Sequence, residues 1–465
     1  MKEKKTVSRR QFLGQTSCAA IGYTTLFSSL LNLKAFEAAA MDNSSLPDDY
    51  KALVCVLLSG GNDSYNMLMP RTGDPYAEYL TTRSNLAIPS TAMLPIVPSS
   101  AIGDFGVHPS MPEVQSLFNS GRLAFISNVG TMVQPTTKPQ FNSGIHPLPL
   151  GLFSHSDQIQ QWQTGRPHER SATGWGGRIA DLITSMNENQ NIAMNISLSG
   201  TNVFQRGASS IEYAINSEGS LGINGYGEGW VPDLIRTQAI DNMLDANYVD
   251  IYKSTYVNTI RQSRDSGIEF QAAIDSIPEF QHEFSEGYLS QSFKMIAKTI
   301  AARETLGFTR QIFFVNYGGW DHHDELLNNQ AAMLEVLSRA FGDFNAVLDE
   351  MNMAENVTTF SISDFARTLT SNGNGTDHAW GGNAMVMGGS VNGGDIFGAY
   401  PSLAVGTELD LADGTLLPTT SADEYLAEMA LWFGVSPTDT DMIFPNLANF
   451  YDTASSQLPL GFLNL

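Results

Sequence analysis

Short apolar runs, each broken by a glycine-rich or polar turn and followed by a stretch of helical periodicity, constrain the fold of this chain more than any other feature. ALVCVLL (52–58) runs straight into SGGNDSYN, and LAFISNVG begins at Leu123. IAMNIS spans 192–197, QIFFVN leads into YGGWDHH, and VTTFSI (357–362) ends at Ser363 and Asp364. Runs of this length, rich in β-branched and aromatic residues and bounded by Gly, Asn and Ser, read as buried strands. Between them lie segments with apolar residues three and four apart. Met111, Val114 and Leu117/Phe118 form one such face, and Leu327, Leu334, Leu337, Phe341, Phe344 and Leu348 another. ADEYLAEMALWFG (422–434) is the last helical stretch. Strands alternating with amphipathic helices predict an α/β fold with a doubly wound, mostly parallel sheet flanked by helices. Residues 200–305 break the alternation with a Gly/Ser/Asn-rich stretch and then long helical periodicity. They read as a helical insertion or cap packed on the sheet within one domain spanning 41–465.

The same pattern places the chemistry. Parallel strands open their carboxyl ends along one edge, and ligands bind in the crevice beyond that edge. Three of the predicted strands end in acids: Asp63, Asp321 and Asp364. His323 follows the second, and Asp377 and His378 stand side by side one Gly/Asn-rich loop after the third. Carboxylates and imidazoles brought together this way suit a divalent metal ion such as zinc, manganese, magnesium or calcium. The plainer alternative is that Asp364 caps a helix and Asp377 holds a turn. His108, His146 and His155 read as residues that pack loops or stand behind the ligands. Ser154 reads as the N-cap of a helix, with Asp157 completing a capping box.

The amino terminus carries an address. VSRRQFLGQ, with Arg9 and Arg10 ahead of Phe12 and Leu13, has the twin-arginine pattern. A weakly apolar run and the small-residue stretch Ala38-Ala39-Ala40 follow, so residues 1–40 read as a signal peptide removed on export. The twin-arginine translocase is then a partner during export, and the mature chain is periplasmic or secreted without a stable membrane anchor. The net charge of −23 becomes more negative once the signal is removed, which excludes nucleic acid and anionic membranes as partners. Of the two cysteines, Cys18 lies in the signal and Cys55 in an apolar strand, so no internal disulfide forms.

The motifs GGNDSYN, GVHPSMPEVQSLFNSGRLAFISNVG, FSHSDQIQQWQTG, GGWDHH, SDFART, NGTDHAWGG, GGSVNGGDIFGAYPSL and WFGVSPTDTDMIFPNL resemble the exported bacterial family called domain of unknown function 1501. That family is placed in the alkaline-phosphatase-like superfamily, with sulfatases and cofactor-independent phosphoglycerate mutases. The resemblance implies a metal-binding Asp after the first strand, which matches Asp63. It implies a nucleophile at a helix N-terminus, matched by Ser154, and an Asp followed shortly by a His, matched by Asp321 and His323. The superfamily then has an Asp-His pair at the next strand end and a further His in a later loop. Asp364 and His378 match, but Phe365 stands where the paired histidine belongs, and Asp377-His378 comes one loop later.

The resemblance implies an exported metal-dependent hydrolase of phosphate or sulfate esters, acting on a small-molecule or polymer substrate through Ser154. Arg367, Arg166 or Asn66 would supply contacts to the developing negative charge. Phe365 favours a second reading, a non-catalytic binding or assembly protein on the same fold with a structural or vestigial metal site.

Overall fold

Strand β1 (Lys51–Leu58) is buried along seven of its eight residues and lies in the interior of the main sheet. The computed structural model describes residues 49–465 apart from residue 101, so the twin-arginine segment and its cleavage site fall outside the described residues. Three short strands, β2 (Leu68–Pro70), β3 (Leu94–Ile96) and β4 (Phe105–Val107), make a small antiparallel sheet of their own. The main sheet is built from β1 together with β5 (Leu123–Gly130), β6 (Asn195–Ser197), β7 (Tyr213–Asn216), β8 (Gly219–Ser220), β9 (Arg310–Asn316), β10 (Val357–Ser363), β11 (Gly382–Met387), β12 (Ile396–Phe397) and β13 (Thr420–Ser421). Its order is β12-β5-β11-β10-β1-β9-β6-β7-β8, with β13 also on β5. β1 pairs in parallel with β10 and β9, and β9 with β6, whereas β11 runs antiparallel to both β10 and β5. The sheet is therefore mixed and mostly parallel, with apolar central strands as burial on both faces demands.

Among the described residues, nine helices of eight residues or more frame it: α1 (Gly73–Arg83), α2 (Pro112–Asn119), α3 (His155–Thr164), α4 (Trp175–Ile183), α5 (Val231–Asp245), α6 (Ile251–Asp275), α7 (Tyr288–Ala301), α8 (Leu326–Glu350) and α9 (Ala422–Phe433). α8 buries Leu334, Leu337, Phe341, Phe344 and Leu348, the face its periodicity predicts, although Leu326 is buried at its start and Leu327 is exposed. Phe293 of α7 packs on Phe344 with ring centroids 4.8 Å apart. Each large apolar side chain fully buried this way contributes about 1.5–3 kcal/mol. α9 opens on a capping box in which Ser421 and Glu424 satisfy each other's backbone N–H groups. The box expected at Ser154 is absent. Ser154 is the N-cap of α3, but its side chain caps nothing, and Asp157 turns to Arg170 at 3.2 Å.

Within 200–305, β7 and β8 extend one edge of the sheet, α7 packs against α8, and α5 and α6 form a helical pair. Among the described residues no helix is long and apolar enough to cross a membrane.

The register decides where the loops meet. Leu57 lies beside Ile362 of β10 and Asn316 of β9, so the chain leaves β1, β9 and β10 along one edge. β11 is antiparallel to β10 and starts at that same edge, which brings in the segment just before Gly382. β5 ends there too, since Val129 pairs with Gly382.

Candidate metal centre

Asp321 follows β9 across Tyr317, Gly318, Gly319 and Trp320, and its loop lies directly against the turn after β1. Gly60 makes that approach possible. Its φ is +117°, and a Cβ there would sit 2.6 Å from the Asp321 nitrogen. Arg367 enters from the segment after β10 and bonds Asp321 Oδ1 through Nη1 at 2.8 Å. The guanidinium is fully buried, its Nε held by Thr376 Oγ1 at 3.3 Å. Burial works against the charged form of Asp321, but the Arg367 hydrogen bond and charge, with His323 and His155, outweigh it. Its pKa lies below the ordinary value. Asp321 is thus a carboxylate at any ordinary pH, and at 45% exposure it remains open to a ligand.

Three histidines face it. Nε2 of His155 and Nε2 of His323 each lie 3.1 Å from Nε2 of His378. The Asp321 oxygens stand 3.5 Å from Nε2 of His155, 3.0 Å from that of His323 and 3.5 Å from that of His378. Each ring is oriented from behind. Nδ1–H of His155 donates to Asp364 Oδ2 at 2.6 Å, that of His323 to Asp377 Oδ1 at 3.1 Å, and that of His378 to the Phe153 carbonyl at 2.8 Å. An imidazole whose one N–H is on Nδ1 carries a lone pair on Nε2, and on all three rings Nε2 is the nitrogen turned towards Asp321. Burial, reinforced by the charges of His155 and Arg367 and only partly offset by the Phe153 carbonyl, holds the His378 pKa below its ordinary value and favours the neutral ring.

This arrangement fits a cation. Two Nε2 lone pairs facing each other at 3.1 Å would repel, and a cation held between them would relieve that. Donors placed tetrahedrally around an ion at the ~2.1 Å typical of zinc stand about 3.4 Å apart. The separations of 3.0 to 3.5 Å bracket that value. His155, Asp321 and His378 each offer an atom within 4.8 Å of the others'. Were these three side chains to hold an ion, the side open to solvent would leave a further position on it.

Of the residues expected at this edge, the structure brings Asp321, His323 and His378 together. Asp364 does not face the common point: wholly buried, it accepts from Gly60 N–H at 3.0 Å and from His155. Its pKa is raised because burial penalises the charge more than His155 and Gly60 favour it. Asp377 likewise sits behind His323. A carboxylate behind a histidine fixes its tautomer and raises its basicity, which is what a ligand histidine requires.

Asp63 leaves the set altogether. It is buried beside the turn and forms a salt bridge with the buried Arg83 of α1, which also bonds Asn66. Asn66 is further held by Tyr79 and Leu86, and Arg166 pairs with Glu169 at 2.7 Å, so neither is near the histidines in these bonds. His108 is buried and accepts from Ser110 N–H, and His146 bonds Thr136, both in loop-packing roles. His322 is buried against Trp320, with ring centroids 6.2 Å apart.

His155 is the residue that sequence reasoning set aside. The available signal was its place at the first helical position beside Ser154, at the mouth of a segment following β5. Phe365 packs 4.8 Å from the His155 ring and 4.6 Å from the His378 ring by centroid. Phe365 is thus an apolar wall against both imidazoles.

Residues 50–413 match the family described as a protein of unknown function, DUF1501. The chain belongs to that family. No curated protein matches it. Among solved structures it is similar to the PsFucS1 sulfatase from Pseudoalteromonas sp., at 11% identity and a TM-score of 0.34, covering 89% of this chain and 74% of that one. It is also similar to Ps i-CgsB in complex with k-i-k-neocarrahexaose, at 11% identity and a TM-score of 0.35 over 86% of this chain and 77% of that one. A third is the lipoteichoic acid synthase LtaP from Listeria monocytogenes, at 9% identity and a TM-score of 0.32 over 87% and 78%. At these scores nothing about the activity of this DUF1501 chain follows from the matches.

Proposed function

We propose that this DUF1501 chain is a metal-dependent hydrolase of phosphate or sulfate esters. The observation that supports the reading most is the trio of imidazoles, each with Nδ1 already tied to an acceptor, whose Nε2 atoms face the Asp321 carboxylate. His155, Asp321 and His378 would hold a divalent cation, with His323 beside them. A donor set of two nitrogens and a carboxylate, with a third imidazole beside it, suits zinc or manganese better than magnesium or calcium, which take oxygen ligands. When bound, such an ion polarises an ester oxygen and stabilises the charge that develops on it.

The chain's own residues supply the rest. Arg367 keeps Asp321 ionised and aimed. Ser154 stands between Phe153, whose carbonyl orients His378, and His155, so its backbone is fixed on both sides by the centre. Phe153 holds φ at +69°, a strained conformation for a non-glycine residue and one that tends to occur where a site demands it. The Ser154 hydroxyl is not spent on capping α3 and lies 3.3 Å from Ser156 Oγ. The free N–H groups of the first turn of α3 favour an anionic group at that end. In this reading Ser154 Oγ attacks phosphorus or sulfur, the bond to the departing alcohol oxygen breaks and the serine proton ends on that oxygen; water then cleaves the serine ester, its oxygen joining the phosphate or sulfate and one proton returning to Oγ.

Ser154→Ala tests it. The variant should lose turnover of an aryl phosphate or aryl sulfate while its metal content and thermal midpoint stay close to wild type. Unchanged turnover would remove Ser154 from the mechanism. A second reading, a non-catalytic binding protein with one structural ion, draws support from Asp63 being engaged by Arg83 and from Phe365 offering no donor. Metal-loaded wild type that hydrolyses neither ester class would favour that reading. We also propose export through the twin-arginine route on the strength of Arg9 and Arg10. Replacing both with Lys should leave uncleaved precursor in the cytoplasm.

A further inference from the structure

A second cavity opens beside β6 and β7, where the chain enters those strands. Its volume is about 620 Å³, within the range of small-molecule sites, and no residue of the metal centre lines it. Thr184, at the end of α4, stands on one side and α6 on the other. β7 pairs in parallel with β6, and β6 with β9, so these strand entries lie at the edge opposite the one that carries Asp321.

A helix lying on its own chain ordinarily turns an apolar stripe inwards. The stripe of α6 that lines this cavity is polar instead. Thr259, Gln262, Ser263 and Ser266 recur at i, i+3, i+4 and i+7, the spacing that puts residues on one side of a helix. Ser266 is buried and donates to the Asn191 carbonyl at 3.0 Å, which fixes the helix to the rim. Two oxygens on lining residues are shut off from water without a hydrogen-bond partner: Oδ1 of the wholly buried Asn195 and Oε2 of Glu212. A carboxylate oxygen stripped of water and given no donor is costly, and a ligand hydroxyl supplies one. Glu212 is only partly buried, so turning its carboxylate into the cavity brings that oxygen to a ligand.

We propose that this cavity binds a short, uncharged saccharide. The chemistry of the lining selects that class. No lysine, arginine or histidine lines the cavity, and its one carboxylate is Glu212. An anionic ligand would meet that carboxylate with no cation to offset it, which separates this site from the ester substrate of the metal centre. An organic cation would satisfy Glu212, but it has no acceptors for the donors of Asn191, Gln262 and Ser263. A sugar hydroxyl both donates and accepts, so a polyol serves the carboxylate and the amides together. The C–H faces of its rings have Ile192, Met194 and Leu221 to pack on. The proposal does not depend on the hydrolase reading.

An array of neutral and sulfated glycans, followed by calorimetric titration of the neutral glycan held best, tests this on the purified protein. The expected result is one neutral glycan of a few sugar units bound per chain, with an affinity that chelator does not change. Glu212→Gln keeps the shape and removes the charge, and it should weaken binding about tenfold or more. Ser263→Trp, at an exposed position of α6, should abolish binding by filling the cavity, and it serves should Glu212→Gln misfold. Both variants should keep the far-ultraviolet circular dichroism and metal content of wild type. The proposal is overturned if no neutral glycan is retained, or if sulfated forms or spermidine bind more tightly than every neutral one. Binding that survives both substitutions, or that is lost with the metal, overturns it as well.

Discussion

Oδ2 of Asp364 lies 2.6 Å from Nδ1 of His155, so a wholly buried carboxylate orients an imidazole that is one-third open to solvent. The pair turns a strand-end acid into support for the His155 ring. Asp364→Asn keeps the shape but offers an amide in place of the charge, and it weakens the hold on the Nδ1–H tautomer. Metal affinity should fall by about 10–100-fold, the usual cost of losing a carboxylate behind a ligand histidine. Metal retained after dialysis against a graded chelator series measures it, and retention equal to wild type would contradict the role.

His155→Ala removes one of the three mutually close donors and should be more severe. The protein should lose bound zinc or manganese under conditions where Asp364→Asn still retains a fraction. His146→Ala, in a loop away from the centre, serves as the control and should leave metal content unchanged.

Asp63 and Arg83 separate structure from ligation. Both side chains are buried, so Asp63→Ala leaves an uncompensated guanidinium inside the protein. Breaking such a pair costs about 3–5 kcal/mol. Denaturant unfolding should show that loss, while metal bound per folded molecule stays at the wild-type value. Loss of metal from a fully folded Asp63→Ala protein would return Asp63 to the ligand set.

Asp423, in the first turn of α9, predicts a pH dependence. Burial, with the neighbouring Glu424 charge, pushes its pKa up to about 8 from an ordinary value of 3.8. Between those values the folded state holds a proton that the unfolded state has released. Its contribution to stability is therefore fully present below the ordinary carboxylate range and is lost as pH rises towards about 8. Asp423→Asn, which mimics the protonated form, should remove that part of the slope. The thermal midpoint of the variant relative to wild type should rise steadily from pH 4 to pH 8; parallel curves would refute the assignment.

Phe365 fills the space between two ligand rings. Truncating a buried phenylalanine costs about 3–5 kcal/mol, and here the cavity would also free His155 and His378 to rotate. Phe365→Ala should lower both the unfolding midpoint and metal affinity, whereas Phe365→Leu should lower them less.

The layered α/β architecture was legible in the sequence because its signals are local. The period of ALVCVLL, QIFFVN and VTTFSI fixes strands, and the three- and four-residue spacing from Leu334 to Leu348 fixes a helix. A parallel sheet then places Asp321, His323, Asp364 and His378 at one edge with no further information. Which way each side chain turns at that edge was not legible. Asp63 and Asp364 both follow buried strands, yet one is drawn to Arg83, twenty residues on in α1, and the other to His155, more than two hundred residues back. Nothing near either acid announces its partner. His155 could not be distinguished from a loop histidine, because its role depends on β5 ending beside β11 and delivering the start of α3 to the same edge. Sequence periodicity determined the elements and the edge they share. Only the tertiary structure, through register and through competition among buried charges for their nearest partners, decided which of those residues face the common point and which stand behind them.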